Sequence, residues 1–496
     1  MEKNYTSTRN TSIQALPKQA ILEGLASDGG LYVYDDIDQI TLPLSDMMKM
    51  SYSEMAQVVL RALLFDFTND EVNTCVKQAY EGKFDDGCIT PLVKSGNDHI
   101  LELFHGPTSA FKDIGLQMLP QLMSVALRDQ KDQSVMILTA TSGDTGKAAL
   151  AGFEDVKRVG ITVFYPDHGV SEMQRLQMVT QQGKNTCVCA LHGNFDDAQS
   201  GVKEIFHNAA FQEAFAKQGV VFSSANSINI GRLIPQIVYY FYAYKVMVEQ
   251  GDIAFGDEVN FCVPTGNFGN VLAGYYAKMM GLPVHRFLVA SNANHVLYDF
   301  LTTGVYDRNR PFHKTISPSM DILISSNLER LLYYMSGKDA DYIAELMNDL
   351  ATKGQYTLRS DVLQRIQSLF YAGYATDSDC IHAIQTKFKS DGYVLDPHTA
   401  VGYHVLKQYE TQDHAHQSVL LSTASPYKFS KHVYQALFHE TDEDAFAVME
   451  KLEKQTGILA PKGLKELKNL AVRHTHVIEP SQMEAFVENQ TKGILL

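Results

Sequence analysis

The sequence predicts an α/β fold built on a largely parallel sheet. Apolar runs of strand length alternate with stretches of helical periodicity from about residue 97 onward, and several runs pass straight into a helix through a polar, glycine-containing loop. With 496 residues and 45% apolar content, the chain can also bury a large core and should divide into two or more domains.

Up to about Gly96 the chain reads as a helix-rich unit, with periodic apolar positions in Tyr52–Phe65 and a helix start at Thr68-Asn69-Asp70-Glu71. Asp85-Asp86-Gly87 marks a turn. Leu101, Leu103 and Phe104 form a short strand that ends at the Gly106-Pro107 turn, and Ile114, Leu116, Met118, Leu119, Leu122 and Met123 supply the apolar side of a helix that Pro120 should kink. Ser134–Ala140 is a buried strand, residues 141–146 (TSGDTG) a loop and Lys147–Phe153 a helix; Val159–Tyr165 and Thr186–Leu191 are further strands. Glu258–Val263 runs into PTGNFGN and a helix through Met280, followed by a strand at Val284–Ala290. Between Asn292 and Gly392 the pattern is helical, DPHTAVGYHVL opens another helix, SVLLSTASPYKFS holds a buried strand, and the lysine- and glutamate-rich stretch from Glu440 is helical. The expected division is an N-terminal unit at 1–96, a catalytic region at 97–435 whose smaller lobe spans about 134–235, and a helical extension at 436–496. Internal repeats and low-complexity tracts are not evident.

A net charge of −15 argues against nucleic-acid binding. The longest aromatic-rich stretch, Ile234–Val248, is interrupted by Gln236 and Lys245, so no membrane span is expected. The N-terminus MEKNYTSTRNTSIQ shows neither a secretory h-region nor an Arg-rich transit pattern, which predicts a cytoplasmic location, and it is too short for a large regulatory extension. Six cysteines without a C-x-x-C pair read as reduced core residues, with Cys187 and Cys189 at alternating positions of one strand, and 17 histidines without H-E-x-x-H spacing give no metal site.

Chemistry concentrates in LELFHGPTSAFKDIG, which places Lys112 at a turn–helix junction beside Phe111 and several small residues. Such surroundings can desolvate an ammonium and bring it toward imine-forming range, while Asp113 pulls the other way. Three further loops sit where parallel sheets bind ligands, at the C-terminal ends of strands. PTGNFGN (264–270) can present converging backbone amides and a helix N-terminus to a phosphate, and without G-K-[ST] it is no Walker loop. TSGDTG can grip a carboxylate, or Ser142 or Asp144 can simply cap the following helix. LSTAS (421–425) ends a strand in hydroxyls, and NSINIGR (226–232) adds amides and a guanidinium.

Taken in order, HGPTSAFKDIG, ATSGDTG, NSINIGR, VPTGNFGN and LSTASPYKF, together with STR and LASDGGLYV near residues 7–33, resemble the threonine synthase family across nearly the whole chain. The resemblance implies a pyridoxal 5'-phosphate enzyme of fold type II, like the β subunit of tryptophan synthase, with residues 1–96 as the family's N-terminal domain. It implies that Lys112 forms the Schiff base and that Gly266, Asn267, Phe268, Gly269 and Asn270 hold the cofactor phosphate. Thr423 would face the pyridine nitrogen and Phe111 would flank the ring. Ser142, Gly143, Asp144 and Thr145 would bind the substrate α-carboxylate, and Asn226, Ser227 and Arg232 would anchor its phosphate, with Lys147 a further source of charge. The implied reaction converts O-phospho-L-homoserine and water to L-threonine and phosphate, the last step of threonine biosynthesis, in a monomer or homodimer. A threonine synthase-like phospho-lyase, releasing 2-oxobutanoate, ammonia and phosphate, would share every cofactor residue. Departures from the family pattern fall at Ser425 and Tyr427, where a histidine and a smaller residue are usual; Ser109 and Ile114 occupy positions expected to vary.

Overall fold

Two parallel sheets carry the architecture of this computed structural model, which describes residues 3–141, 143–168 and 170–496. The larger has six strands in the order 370–374, 284–291, 259–264, 418–422, 98–102 and 92–95, parallel except for the last, which pairs antiparallel with 98–102. The smaller has five parallel strands in the order 476–478, 186–191, 159–166, 134–140 and 220–223. Apart from sheet-edge segments, these strands are buried runs of Val, Ile, Leu, Phe and Cys, as strands covered by helices on both faces must be. All six cysteines are free.

Sequence and structure differ where short strands lie among polar or helical stretches. The helix-rich N-terminal segment also forms a three-stranded sheet from Tyr5–Ser7, Asn10–Ala15 and Tyr32–Tyr34. Asn10–Ala15 is mostly solvated, so its residues carry little apolar signal. Phe370–Tyr374 follows the helix Ser360–Leu369 without a break and was hidden in the helical reading of 292–392. The C-terminal stretch is mainly helical, but His476–Ile478 adds an edge strand to the smaller sheet. Among the described residues no helix is long and apolar enough to cross a membrane.

Helix caps follow the expected chemistry. Ser51 and Thr68 each form a reciprocal capping box with the glutamate three residues on. The helix Lys112–Ala126 contains Pro120 and packs on the helix Asp144–Phe153. Their closest approach is at Gly152, where a Cβ would overlap the Leu116 carbonyl oxygen. Gly152→Ala should therefore cost about 2–3 kcal/mol, seen as a lower urea midpoint with an unchanged slope; an unaltered midpoint would mean the two helices separate freely.

At the N-terminal ends of the larger sheet's strands, away from the loops described below, His285, Asp413 and His416 bring their ligand atoms within 4.8 Å of one another. Sequence spacing gives no hint of this cluster, because segments on either side of strand 259–264, distant in the chain, assemble it. The two rings stack at 3.7 Å and 11°. Both Nδ1 atoms face the Asp413 carboxylate, at 3.4 Å from His285 and 3.1 Å from His416.

Candidate active site

Strand 98–102 ends in a turn that delivers Lys112 as the first residue of its helix. The turn is braced by Asp113, whose carboxylate accepts from the Thr108 backbone N–H at 2.8 Å and the Thr108 hydroxyl at 2.7 Å. Burial raises the Asp113 carboxyl to about 6 against these bonds. Gly106 has to be glycine here, since a Cβ would stand 2.6 Å from the Asp113 side chain. Lys112 itself is 10% exposed, with Nζ 5.0 Å from the centre of the Phe111 ring. The carboxylate that faces it is Asp144, at 3.3 Å, and not the neighbouring Asp113. Burial lowers the Lys112 amine; Asp144 opposes that shift, and Arg232 and Lys428 reinforce it.

Loop 265–270 opens the helix Gly269–Met279. Phe268 sits at its N-cap with φ 63°, a left-handed conformation, and caps nothing with its side chain; Asn270 Oδ1 takes the Val271 amide at 3.1 Å, which leaves the amides of Gly269 and Asn270 for a ligand. Asn270 turns inward: its amide donates to the Pro264 carbonyl at 2.9 Å and its oxygen accepts from Thr265 Oγ1 at 2.7 Å, which stiffens the loop. Asn327 clamps the loop from outside by donating to the Asn267 carbonyl at 3.1 Å.

Loop 141–146 is organised by Thr141, whose hydroxyl accepts from the backbone N–H of Gly143 and of Gly146, both at 2.9 Å. Gly143 has φ 133°, and a Cβ there would collide with Gln174. The helix begins at Asp144, three residues before the expected Lys147; its N-cap, Gly143, has no side chain, and Thr141 takes the Gly146 amide of the first turn instead. The Asp144 carboxylate is engaged by Lys112, Lys428, Gln174 and Ser319. Ser142 lies outside the described residues.

The fourth loop follows strand 220–223. Arg232 is buried; burial lowers its guanidinium to about 10. One Nη donates to the Ala225 carbonyl at 2.9 Å and the other to Thr145 Oγ1 at 3.4 Å, while Nε and the nearby Asn226 Oδ1 are buried without a partner. A buried donor left open in this way is costly unless a ligand completes it.

All four loops and Thr423 line one cavity of about 550 Å³. Of the residues expected at the site, Lys112, Phe111, Asp144, Thr145, Asn226, Ser227, Arg232, Gly266, Asn267, Phe268, Gly269, Asn270 and Thr423 reach it; Gly143 stands behind the wall. The segments that follow the neighbouring strands 98–102 and 418–422 are tied to each other, Phe111 N–H donating to the Thr423 carbonyl at 2.8 Å and Ser425 N–H to the Ser109 carbonyl at 3.1 Å. Arg9, Ser319, Glu329 and His398 also line the cavity, and none of the four is marked in the sequence as a site residue. His398 had a usable signal, the helix start Asp396-Pro397-His398: its Nδ1 meets the Asp396 carboxylate at 2.9 Å and its Nε2 accepts from the Ser319 N–H at 3.1 Å.

Lys147 is placed differently from expectation. It is absent from the cavity wall, and its ammonium donates to Gln181 instead. Burial lowers its amine to about 8, below the unfolded value near 10.5. Below pH 8 both states carry the proton and the folded state bears the cost of a poorly solvated charge; between pH 8 and 10.5 the unfolded chain binds more protons and the cost fades. Lys147→Met should accordingly raise stability by about 1–3 kcal/mol at pH 7, an advantage that shrinks in denaturation midpoints measured from pH 8 to 10; an advantage independent of pH would contradict this reading.

An uncapped helix N-terminus, an open guanidinium and a partly desolvated lysine in one cavity suit a ligand with two anionic ends and a group that reacts with an amine. Comparison with known proteins gives the same direction. Residues 4–80 match the model for the threonine synthase N terminus, 88–425 that for pyridoxal-phosphate dependent enzymes and 399–484 that for the threonine synthase C-terminal region. The human protein threonine synthase-like 1 is 41% identical over 440 residues, 84% of this chain, which spans only 58% of that relative's length. Threonine synthase of Pseudomonas aeruginosa is 38% identical over 434 residues, covering 87% of this chain and 90% of the relative. The crystal structure of pyridoxal phosphate-bound threonine synthase from Brucella melitensis superposes with a TM-score of 0.86 at 35% identity, over 99% of this chain and 100% of the other. With its N-terminal, central and C-terminal segments all matched by one group of proteins, this chain belongs to the threonine synthase family of pyridoxal-phosphate-dependent enzymes.

Proposed function

We propose that the chain converts O-phospho-L-homoserine and water to L-threonine and phosphate in the cavity between the loops. The observation that supports this reading is that one cavity holds, around Lys112, the start of helix 269–279, which suits the cofactor phosphate, and the Arg232 guanidinium with Asn226 and Ser227, which suits the substrate phosphate. An enzyme of the same cofactor class acting on an unphosphorylated amino acid has no need of the second site.

Bound pyridoxal phosphate supplies an electron sink that acidifies the protons at Cα and Cβ of an attached amino acid. Lys112 attaches the cofactor and, once released, is a neutral amine in the cavity, ready to take a proton from Cα and to move further protons between Cα, Cβ and Cγ. Its lowered proton affinity favours the neutral form that such a base needs. Backbone amides of Asp144 and Thr145, in the first turn of their helix, hold the α-carboxylate. Asn226, Ser227 and Arg232 hold the phosphate and stabilise it as it leaves. Phe111 would wall the cofactor ring from water, and Thr423 would offer it a neutral hydroxyl in place of a carboxylate, a partner that would restrain transamination.

Incubation of the protein with O-phospho-L-homoserine and separation of the products tests this directly. L-Threonine and phosphate in equal amounts are expected. Production of 2-oxobutanoate and ammonia without threonine would replace the proposal by the phospho-lyase reading.

A further inference from the structure

Lys428 is buried to 1% exposure, and its ammonium is built into three of the motifs at once. It donates to the Thr108 carbonyl at 2.8 Å, in the turn that carries Lys112, and pairs with Asp144 Oδ1 at 2.8 Å, at the start of helix 144–153. The other oxygen of Asp144 meets Lys112 Nζ at 3.3 Å and accepts from Ser319 Oγ at 3.0 Å, and Gln174 Nε2 donates to Oδ1 at 2.9 Å. Asp144 therefore has its acceptor positions filled by this chain's own groups. A carboxylate so held would repel a substrate carboxylate and has no spare contact to offer it, so the side chain serves another purpose than the amides beside it.

We infer that Asp144 is a further catalytic residue, the fixed counter-charge of Lys112, and that Lys428 is the positioning residue that keeps Asp144 anionic and aimed while Lys112 is neutral. The inference rests on Lys112 being the lysine that attaches the cofactor. With Lys112 neutral, Asp144 and Lys428 cancel each other's charge. When the amine takes a substrate proton, the C–H bond breaks, its electron pair stays on the substrate and an N–H bond forms; the new ammonium stands beside a carboxylate that is already desolvated and has nothing to reorganise. No proton passes to Asp144. Lys428 holds the partner still through both states and, through Thr108, holds the turn of Lys112 in register with it.

The charges facing this group support the assignment. Burial works to raise the Asp144 carboxyl, but Lys428, Lys112 and His398 together hold it well below the usual carboxylate range. Lys112, at the start of helix 112–126, is faced by Asp144 of helix 144–153, by Arg232 of the segment after strand 220–223 and by Lys428 of the segment after strand 418–422. Asp113, whose own carboxyl Lys428 works to lower, is turned to Thr108.

The test is a pH titration of the visible absorbance of the cofactor on Lys112 in the full-length holoenzyme, without substrate. Asp144→Asn removes the counter-charge and should lower the titration midpoint by about one to three pH units. Lys428→Met removes a competing cation and should raise it, the opposite sign. If the wild-type midpoint lies above the range in which the protein stays folded, Asp144→Asn must bring it into range. Shifts of the same sign, or no shift in Asp144→Asn, would overturn the inference, because a merely structural role moves both variants together. Lys428→Arg should keep the wild-type midpoint. Should Lys428→Met fail to fold, the double variant Asp144→Asn/Lys428→Met, which leaves no bare charge, must titrate above Asp144→Asn alone; a midpoint at or below it counts against the couple. Failure of the underlying reading would look different: no cofactor absorbance in wild type, or absorbance that survives Lys112→Ala.

Discussion

Lys112→Ala should abolish the visible absorbance of bound cofactor and lower turnover by at least about 10⁴-fold, since one side chain is both the attachment point and the base, and a positioned base alone is worth about 10²–10⁴. The same change should leave the fold almost untouched. Lys112 is a nearly buried ammonium whose amine burial lowers, and after its removal Asp144 still has Lys428 at 2.8 Å and donors from Gln174 and Ser319. Thermal midpoints of wild type and variant without cofactor should agree to within a few degrees. A variant that unfolds would assign Lys112 a structural role; one that folds yet keeps absorbance and activity would remove it from the mechanism.

The second large effect is expected at Arg232. Its Nε lacks a partner and its two Nη groups are only lightly engaged, so the guanidinium is prepared for a dianion. Arg232→Met should lose about two charge-assisted hydrogen bonds of roughly 1.5–3 kcal/mol each, a rise in KM for the phosphorylated substrate of about 100-fold or more. Inhibition by inorganic phosphate should weaken in parallel, while cofactor absorbance stays, because the cofactor phosphate is assigned to helix 269–279. Steady-state kinetics with phosphate as competing ligand separates the two sites. An unchanged KM, or loss of cofactor in place of substrate, would mean that the two phosphate positions are exchanged.

The parallel core was legible because its strands are continuous apolar runs, and residues 134–140, 186–191 and 418–422 stand where the sequence puts them. Short strands were not legible. Tyr5–Ser7 and His476–Ile478 owe their form to pairing with neighbours distant in sequence, and three residues carry no period of their own. At the site, loops that follow apolar strands could be found from glycine and hydroxyl content. Direction could not: Asp144 reads as a helix cap or a carboxylate binder in sequence, and only the fold shows it turned to Lys112 and Lys428. Lys428 belongs to a motif the sequence displays plainly, yet a lysine is usually exposed, and its burial depends on contacts with residues 108 and 144. Arg9 and Glu329, paired at 2.8 Å on the cavity wall, lie too far apart in the chain for any spacing rule.

The central claim is that this cavity replaces a phosphate at Cγ by a hydroxyl at Cβ, with Lys112 moving the protons. Reaction of the wild-type protein with O-phospho-L-homoserine in ¹⁸O-water, followed by mass spectrometry of the products, tests it most directly. The account predicts threonine with one heavy oxygen in its hydroxyl and released phosphate with none, because the carbon–oxygen bond is the one that breaks. Heavy phosphate beside unlabelled homoserine would mean cleavage at phosphorus by simple hydrolysis and would contradict the account.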